Sequence, residues 1–301
     1  MAGAVVTVGT FDGVHRGHQA VLAEITRRAR ARGSESVVVT FDPHPLAVVN
    51  PGAAPPLLTL PAEKLRLLEA AGVSRVETLA FTPELARLEP VAFVRDVLRA
   101  RWRMDELVLG HDHGFGRGRS GDVDTVRRIA ASDGFAVDVV DAVKDDGQPI
   151  SSTLIRTALA HGDLALARRW LGRAYGALGT VERGAGRGRT IGIPTLNLPV
   201  PDARKLLPPD GVYAVRVTLP DGARHGGMMN QGSRPTFGVQ ERGLEIHLFD
   251  FDAEIYGVTV WVEWVRRLRE VRAFSSREAL IAQLADDRAA ARQSLTGEAI
   301  A

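Results

Sequence analysis

Near Leu171 the chain changes its hydrophobic rhythm, and that change constrains the fold more than any other feature of the sequence. Before it, short apolar runs at Ala4–Val8, Ser36–Phe41, Arg75–Leu79, Glu106–Leu109 and Ala136–Val140 alternate with amphipathic stretches. Strands alternating with helices predict an open, doubly wound, mostly parallel α/β sheet. The stretch His18–Arg32 carries Val21, Leu22, Ile25 and Ala29 at helical spacing and stops at Gly33, a natural residue for a left-handed helix end. Further helices are expected over Pro61–Ala71, Pro90–Arg101, Asp122–Ser132 and Ser152–Leu159, with Leu164–Leu171 as a helical connector. Beyond Leu171, β-rich segments at Ala177–Glu182, Gly211–Leu219, Arg224–Asn230, Leu244–Asp250 and Val258–Val265 are separated by Gly, Pro and Asp turns. That spacing predicts a small antiparallel barrel or sandwich. Asp221-Gly222 is a hairpin turn signal, and Ser275-Ser-Arg-Glu278 announces a closing helix from Ser276 to about Leu295. The expectation is two domains, residues 1–171 and 172–301, which suits a chain of 301 residues.

Composition narrows the partners. Hydrophobic residues make up 45% and charged residues 25%, enough apolar surface for a core in each domain. The absence of cysteine excludes disulfides, thiolate metal sites and a cysteine nucleophile. No run of about 18 apolar residues occurs, so no membrane partner is expected and the cytoplasm is the default compartment. The formal charge is only +2, and no basic run is interleaved with stacking aromatics, which argues against nucleic acid and for small-molecule substrates. A homo-oligomer is compatible with all of this. Lysine occurs only at positions 64, 144 and 205; the other 35 basic residues are arginine, which suits bidentate phosphate contacts.

The strongest chemical signal follows the first apolar run: Gly9-Thr-Phe-Asp-Gly-Val-His-Arg-Gly-His18. A segment between a strand and a helix presents backbone amides to whatever binds at the sheet edge, and helix N-termini favour anions. Gly13 and Gly17 let backbone approach a phosphate, while His15 and His18 can donate ring N–H bonds to phosphoryl oxygens as charge builds. The same two histidines would also suit a polar turn or an adventitious metal pair. The segment resembles the HxGH motif of the nucleotidyltransferase superfamily and, in its longer form, bacterial FAD synthetases. Thr40-Phe-Asp-Pro-His-Pro45 and Ile150-Ser-Ser-Thr-Leu-Ile-Arg156 are similar to that family's later motifs, in the same order. The resemblance implies catalytic roles for His15 and His18. It also implies ATP and phosphate contacts from Gly9, Phe11, Gly13, Gly17, Asp112, Ser152, Thr153 and Arg156, and flavin contacts from Phe41, Pro43, His44 and Pro45. Taken alone, Ser-Ser-Thr is equally a helix cap.

Between these motifs, Gly110-His-Asp-His-Gly-Phe-Gly-Arg-Gly-Arg-Ser-Gly121 contains a G-x-G-x-x-G string at Gly116, Gly118 and Gly121, with Asp138 downstream. A dinucleotide fingerprint should follow its strand directly, and here His-Asp-His-Gly-Phe intervenes. The segment instead resembles the family's Gly-Asp-Asp-Phe-x-Phe-Gly loop, with His113 and Gly114 as departures. His111-Asp-His113 alone offers too few ligands for a defined metal site.

The second half carries its own phosphate signal in Gly184-Ala-Gly-Arg-Gly-Arg-Thr-Ile-Gly-Ile-Pro-Thr195-Leu-Asn197. No Walker A pattern is present. Thr195 and Asn197 are two residues apart, so a strand would turn both to one face, where oxygen donors suit Mg2+ shared with ATP. This segment resembles the Gly-x-Pro-Thr-Ala-Asn motif of riboflavin kinases, with Leu196 as a departure. Asn230-Gln-Gly-Ser-Arg-Pro-Thr-Phe237 and Leu244-Glu-Ile-His-Leu-Phe-Asp-Phe-Asp-Ala-Glu-Ile-Tyr-Gly257 are similar to further kinase motifs, with Gln231 departing from a common apolar residue. The resemblance implies Thr195 and Asn197 as metal ligands, Gly186, Gly188 and Gly192 at ATP phosphates, Arg234 at the flavin and Glu245 as general base. Without it, Glu245 is a solvent-facing charge on an alternating strand.

Together the resemblances imply a bifunctional riboflavin kinase and FMN adenylyltransferase. Riboflavin and ATP would give FMN and ADP in the C-terminal domain, and FMN and ATP would give FAD and pyrophosphate in the N-terminal one. Two alternatives stay open on the residues: a chain with one live activity, and a non-catalytic flavin-binding regulator.

Overall fold

The computed structural model describes residues 3–111, 114–184, 193–200, 202–236 and 239–296, with side chains at 119 and 233–241 excepted. It divides into two compact units, Met1–Leu154 and Ile155–Ala301.

In the first unit the strands β1 (Val5–Val8), β2 (Ser36–Asp42), β3 (Arg75–Ala80), β4 (Glu106–Gly110) and β5 (Ala136–Val140) form one parallel sheet in the order β3-β2-β1-β4-β5. The chain winds outward from β1 in one direction through β2 and β3, and from β4 in the other. A crevice therefore opens at the carboxyl ends of β1 and β4, the place where ligands bind in open α/β sheets. Both faces are covered, and the apolar runs of β1, β2 and β4 are buried almost throughout. On one face Val5, Val38 and Val108 meet Val21, Leu22 and Ile25 of α1 (Arg16–Arg32) and Leu68. On the other, Val6, Val39 and Leu107 meet Phe93, Val97, Val126 and Ile129.

Every predicted strand of this unit is present, and the differences lie at element ends and in short additional elements. Helix α1 begins two residues before the expected His18, because the His15 ring caps it. It ends at Gly33 with φ 61°, where the glycine amide donates to Ala29 and Arg30 carbonyls. A five-residue helix, α2 (Pro45–Val49), follows β2, and α3 (Pro61–Ala70) follows in turn; α4 (Pro83–Ala86) lies beyond β3. The expected Pro90–Arg101 helix is α5 (Pro90–Ala92), a π-helical stretch Phe93–Arg99 and α6 (Ala100–Trp102). The wider π turn carries Phe93, Val94, Val97 and Leu98 into one core. After α7 (Val123–Asp133) and β5 comes a short hairpin not foreseen in the sequence, β6 (Lys144–Asp145) and β7 (Gln148–Pro149). Its turn residues Asp146 and Gly147 both have positive φ, as the Asp-Gly pair favours.

The second unit starts with most of α8 (Ser152–Ala160), then α9 (Leu164–Leu171). Six antiparallel strands follow: β8 (Tyr175–Thr180), β9 (Leu196–Pro199), β10 (Gly211–Thr218), β11 (Arg224–Thr236), β12 (Val239–Leu248) and β13 (Thr259–Arg269). Their order is β8-β13-β10-β11-β12-β9, and a bridge between Glu182 and Asn197 brings the two edges together. Leu198 fills the space beside Gly179, where an added Cβ would sit 2.4 Å from its Cδ2. Alternation on β10 sends Tyr213, Val215 and Val217 to one buried face and Ala214 to the other. There Ala214, Met228 and Phe249 meet Ala291 of α10 (Arg277–Thr296). Arg269 of β13 fixes the same helix through the buried Asp287 carboxylate, 2.7–3.1 Å away.

Three strands differ most from expectation. β9 is a short edge strand flanked by prolines, which such strands tolerate and which hide them in a sequence. β11 and β12 pair all the way to Thr236 and Val239, extending the expected strands through a Gly-Ser-Arg-Pro stretch that resembles a turn.

Candidate active sites

The first site grows from the turn after β1. Phe11 and Val14 adopt φ 48° and 40°, a left-handed conformation rare for such residues, and Gly13 has φ 82°. Asp12 holds this turn: its buried carboxylate accepts the Leu58 amide at 3.0 Å and the Thr59 amide at 2.9 Å. The Thr59 hydroxyl donates to Asp12 at 3.0 Å and accepts the Gly13 amide at the same distance. The sequence motif contains Asp12, yet its function as an anchor is legible only once the Leu57–Leu60 segment is placed beside it.

His15 stands at the helix start, with Nδ1 accepting the His18 amide at 3.4 Å. Its neutral form therefore carries the proton on Nε2, leaving that N–H to point elsewhere. The His18 ring stacks on His15 at 3.6 Å with an interplanar angle of 21°, and Phe11 meets His18 edge-on at 5.1 Å. Gly17 is required by the ring beside it, since a Cβ there would lie 3.1 Å from His15 Cε1. Two imidazoles are thus fixed as a pair over the amino end of α1.

The neighbouring turn follows β2. Phe41 is buried, with Phe81 at 5.3 Å and Phe93 at 6.5 Å, so its ring belongs to the core. Asp42-Pro43 is a cis peptide, Pro43 is exposed, and His44 caps α2 through Nδ1, which accepts the Leu46 amide at 3.2 Å. Pro45 is the first residue of α2. Lys64 of α3 reaches under both turns and donates to the carbonyls of Phe41 at 2.8 Å and Thr10 at 3.3 Å. Burial pulls its proton affinity below the usual lysine range, against the opposing pull of Asp12 and Asp42.

At the third motif, the Ser152 hydroxyl donates to the Asp12 carbonyl at 2.9 Å, tying the start of α8 to the first turn. Ser151 caps that helix by accepting the Leu154 amide at 3.3 Å. Thr153 is exposed, and Arg156 lies one turn along α8, within the second unit. Asp112, with the departure at His113, falls outside the described residues. The G-x-G-x-x-G string does not build a dinucleotide turn. Phe115 is buried beside Phe93, and the amino end of α7 is already occupied by Asp122, whose carboxylate accepts the Thr125 amide at 2.8 Å.

The second site is assembled by strand register. Asn197 of β9 lies opposite Glu245 of β12, which in turn lies opposite Asn230 of β11. Opposed residues in an antiparallel ladder share a face, so a carboxylate stands between two carboxamides. Asn197 is buried, and its Nδ2 lies 3.5 Å from the Thr195 carbonyl. Gly184 passes directly over it: an added Cβ would fall 2.0 Å from Asn197 Nδ2. His247, on the Glu245 face of β12, donates from Nδ1 to the Pro194 carbonyl at 2.8 Å and so fixes the entry to β9.

Beside this row lies a cavity of ≈ 440 Å³, lined by Pro194, Thr195, Leu196, Phe251, Glu254 and Tyr256 among others. The loop after β12 supplies half of that wall, a contribution the sequence did not reveal. Arg183 covers the Tyr256 ring at 4.8 Å. Gly186, Gly188 and Gly192 fall outside the described residues, as does the Arg234 side chain. Gln231 finds polar company in the interior: it donates to the Pro208 carbonyl at 2.5 Å and accepts the Trp264 indole N–H at 2.9 Å. Among the described residues no helix is long and apolar enough to cross a membrane.

The sequence comparisons divide along the same line as the fold. Residues 1–154 match the FAD synthetase family and residues 171–295 the riboflavin kinase family. The bifunctional riboflavin kinase/FMN adenylyltransferase of Pseudomonas fluorescens is 40% identical over 291 residues, covering 96% of this chain and 92% of that protein. The protein of the same description from Escherichia coli (strain K12) is 38% identical, covering 97% and 92%. A crystal structure described as a macrolide-efflux protein from Streptococcus pneumoniae superposes with a TM-score of 0.85 at 33% identity, over 97% of this chain and 95% of that one. Both halves are accounted for by a single pair of activities, and the chain belongs to the bifunctional riboflavin kinase/FMN adenylyltransferase family.

Proposed function

We propose that each unit carries one step of FAD synthesis: the second phosphorylates riboflavin with ATP, and the first transfers an adenylyl group from ATP to the FMN so formed. The observation that carries this division is the register of Asn197, Glu245 and Asn230 within the span matched by the riboflavin kinase family. A carboxylate held between two amides can take a proton while its neighbours bind oxygen-rich ligands.

In the kinase step the ribityl 5′-hydroxyl oxygen attacks the γ-phosphorus, its proton passes to Glu245, and ADP departs. Thr195 and Asn197 would supply the hard oxygen donors that Mg2+ prefers. When bound there, the ion neutralises charge on the phosphates. Gly186, Gly188 and Gly192 provide amides for the same phosphates, and Arg234 borders the flavin. The cavity beside Thr195 accepts part of a nucleotide.

In the adenylyl step an FMN phosphate oxygen attacks the α-phosphorus and pyrophosphate leaves. That nucleophile is already anionic, so alignment and charge neutralisation replace a base. His15, His18 and the α1 amides receive the phosphates, with Gly9, Phe11, Gly13 and Gly17 shaping the turn. Asp112, Ser152 and Thr153 complete the ATP side. Pro43, His44 and Pro45, on the turn that Phe41 anchors, border the flavin.

The test is a product analysis. The protein incubated with riboflavin, ATP and Mg2+ should yield FMN and then FAD. FMN alone would mean a silent transferase, no product a silent kinase, and tight flavin binding without turnover a regulator.

A further inference from the structure

Of the three lysines in a chain with 35 arginines, two are buried. Both aim the ammonium at main-chain carbonyls. Lys205 donates to Gly176 at 2.9 Å within the barrel unit. Lys64 donates to Phe41 and Thr10. A guanidinium is wide and planar, whereas an ammonium is compact and donates in three directions, which suits two carbonyls on neighbouring turns.

The position of Lys64 sets it apart. Thr10 belongs to the turn that bears His15 and His18, and Phe41 opens the turn that bears Pro43 and His44. One cation therefore joins the turn assigned to phosphates with the turn assigned to the flavin. The segment just before it grips the same region from another side, through the Asp12 bonds to Leu58 and Thr59. Glu63, the adjacent residue, is engaged with the Leu60 amide at 2.8 Å.

Holding the charge there costs desolvation free energy. Both acceptors of Lys64 are neutral carbonyls, and burial outweighs the fields of Asp12 and Asp42, so the fold disfavours the ionised form. An apolar side chain would avoid that cost but leave the Phe41 and Thr10 carbonyls without their donor. What an ammonium adds is a fixed positive potential beneath a crevice where two anions must meet.

We infer that Lys64 is a positioning residue for adenylyl transfer, fixing the phosphate turn against the flavin turn and drawing the anionic FMN and ATP together without touching either. The inference rests on the assignment of adenylyl transfer to the first unit.

The test uses the full chain as wild type, Lys64→Met and Lys64→Arg, with rates of FAD formation from FMN and of FMN formation from riboflavin measured from neutral to alkaline pH. Lys64→Met should lower kcat/KM for FMN on the order of 10²-fold. Riboflavin phosphorylation by the same preparation should stay within about twofold, inside the scatter expected for an independent site. Amides of β1 and β2 should keep their protection from hydrogen exchange. Wild-type adenylylation should fall on the alkaline side as Lys64 loses its proton, and that limb should move to higher pH in Lys64→Arg. A folded Lys64→Met that makes FAD at the wild-type rate overturns the inference. Should Lys64→Met lose the protection of β1 and β2, the other two proteins decide, and identical alkaline limbs overturn it. A wild-type chain that makes no FAD at all would instead refute the assignment of function to the first unit.

Discussion

The two units solve phosphate chemistry with opposite parts of their architecture. In the first, strands form a scaffold and the proposed groups gather at their carboxyl ends: backbone amides and a stacked imidazole pair on the first turn, and the buried ammonium of α3 beneath it. In the second, the strands carry those groups, because alternation and register place Asn197, Glu245 and Asn230 side by side. The difference follows the nucleophile. A phosphate oxygen needs only orientation and charge neutralisation, which turns at a sheet crevice supply well. A neutral hydroxyl needs a base at a defined distance, which a strand ladder can fix.

The sharpest way to break this contrast is to remove the proposed base. Glu245→Gln should lower FMN formation from riboflavin by about 10²–10⁴-fold while leaving FAD formation from supplied FMN unchanged. Separated flavin products report both rates in one experiment. If Glu245→Gln phosphorylates riboflavin normally, the carboxylate is only a charge on a strand, and the two sites differ less than proposed.

The mirror experiment is in the first unit. His15→Asn should keep the helix cap, since asparagine is among the best N-cap residues, but remove the ring that stacks on His18. FAD formation from FMN should fall roughly 10²–10³-fold with riboflavin phosphorylation intact. His15→Ala should lose about 1 kcal/mol of stability in addition, as measured by denaturant unfolding, because the cap goes as well. A His15→Asn protein of full activity would reduce the histidine to its capping role.

How far the sequence foretold each unit follows the same contrast. The parallel strands β1, β2 and β4 are largely apolar runs, and β3 and β5 are legible beside them despite Arg75, Glu77 and Asp138. The motif turns are legible too, since Gly13, His15 and His18 lie within six residues of one another. What was hidden is what reaches a turn from far along the chain: Thr59 beside Gly13, Lys64 beneath Thr10 and Phe41. In the barrel unit, β9 was hidden by its prolines, and the second half of the long β11–β12 pairing by a turn-like composition. The Asn197–Glu245–Asn230 row could not be read without register, because no local pattern states which strands are neighbours. His247 was visible in its motif, but its bond to Pro194 joins residues 53 apart in sequence.

Gln231 gives a third, smaller test, one of stability. The buried polar groups beside the first site, Asp12 and Lys64, are charged, while the barrel interior also holds a neutral carboxamide that links Trp264 to the Pro208 carbonyl. Gln231→Leu fills the volume but strands the indole N–H and a carbonyl, and should cost about 1–3 kcal/mol in denaturant unfolding of the kinase unit. An equally stable Gln231→Leu would show that water replaces the lost partner.

The smallest effect concerns the ionic network on α1 in the first unit. Arg27 and Arg28 hydrogen-bond the Glu24 carboxylate at 2.6–2.8 Å, and Arg28 continues to the buried Glu106. The hydrogen bond from Arg27, reinforced by Arg28, holds the Glu24 carboxyl down from 4.5 to about 2. A carboxyl with a depressed folded value binds protons more weakly in the folded state. Its contribution is therefore complete above 4.5 and is lost as the pH falls toward 2. Arg27 is largely exposed, so solvent screening limits that contribution to about 0.5–1 kcal/mol. Glu24→Gln should be less stable than wild type by that amount at neutral pH, with the gap in denaturant midpoint closing across this acid window. A gap that persists below it would assign the loss to packing and hydrogen bonding, and would remove charge from the account of how α1 is held to its sheet.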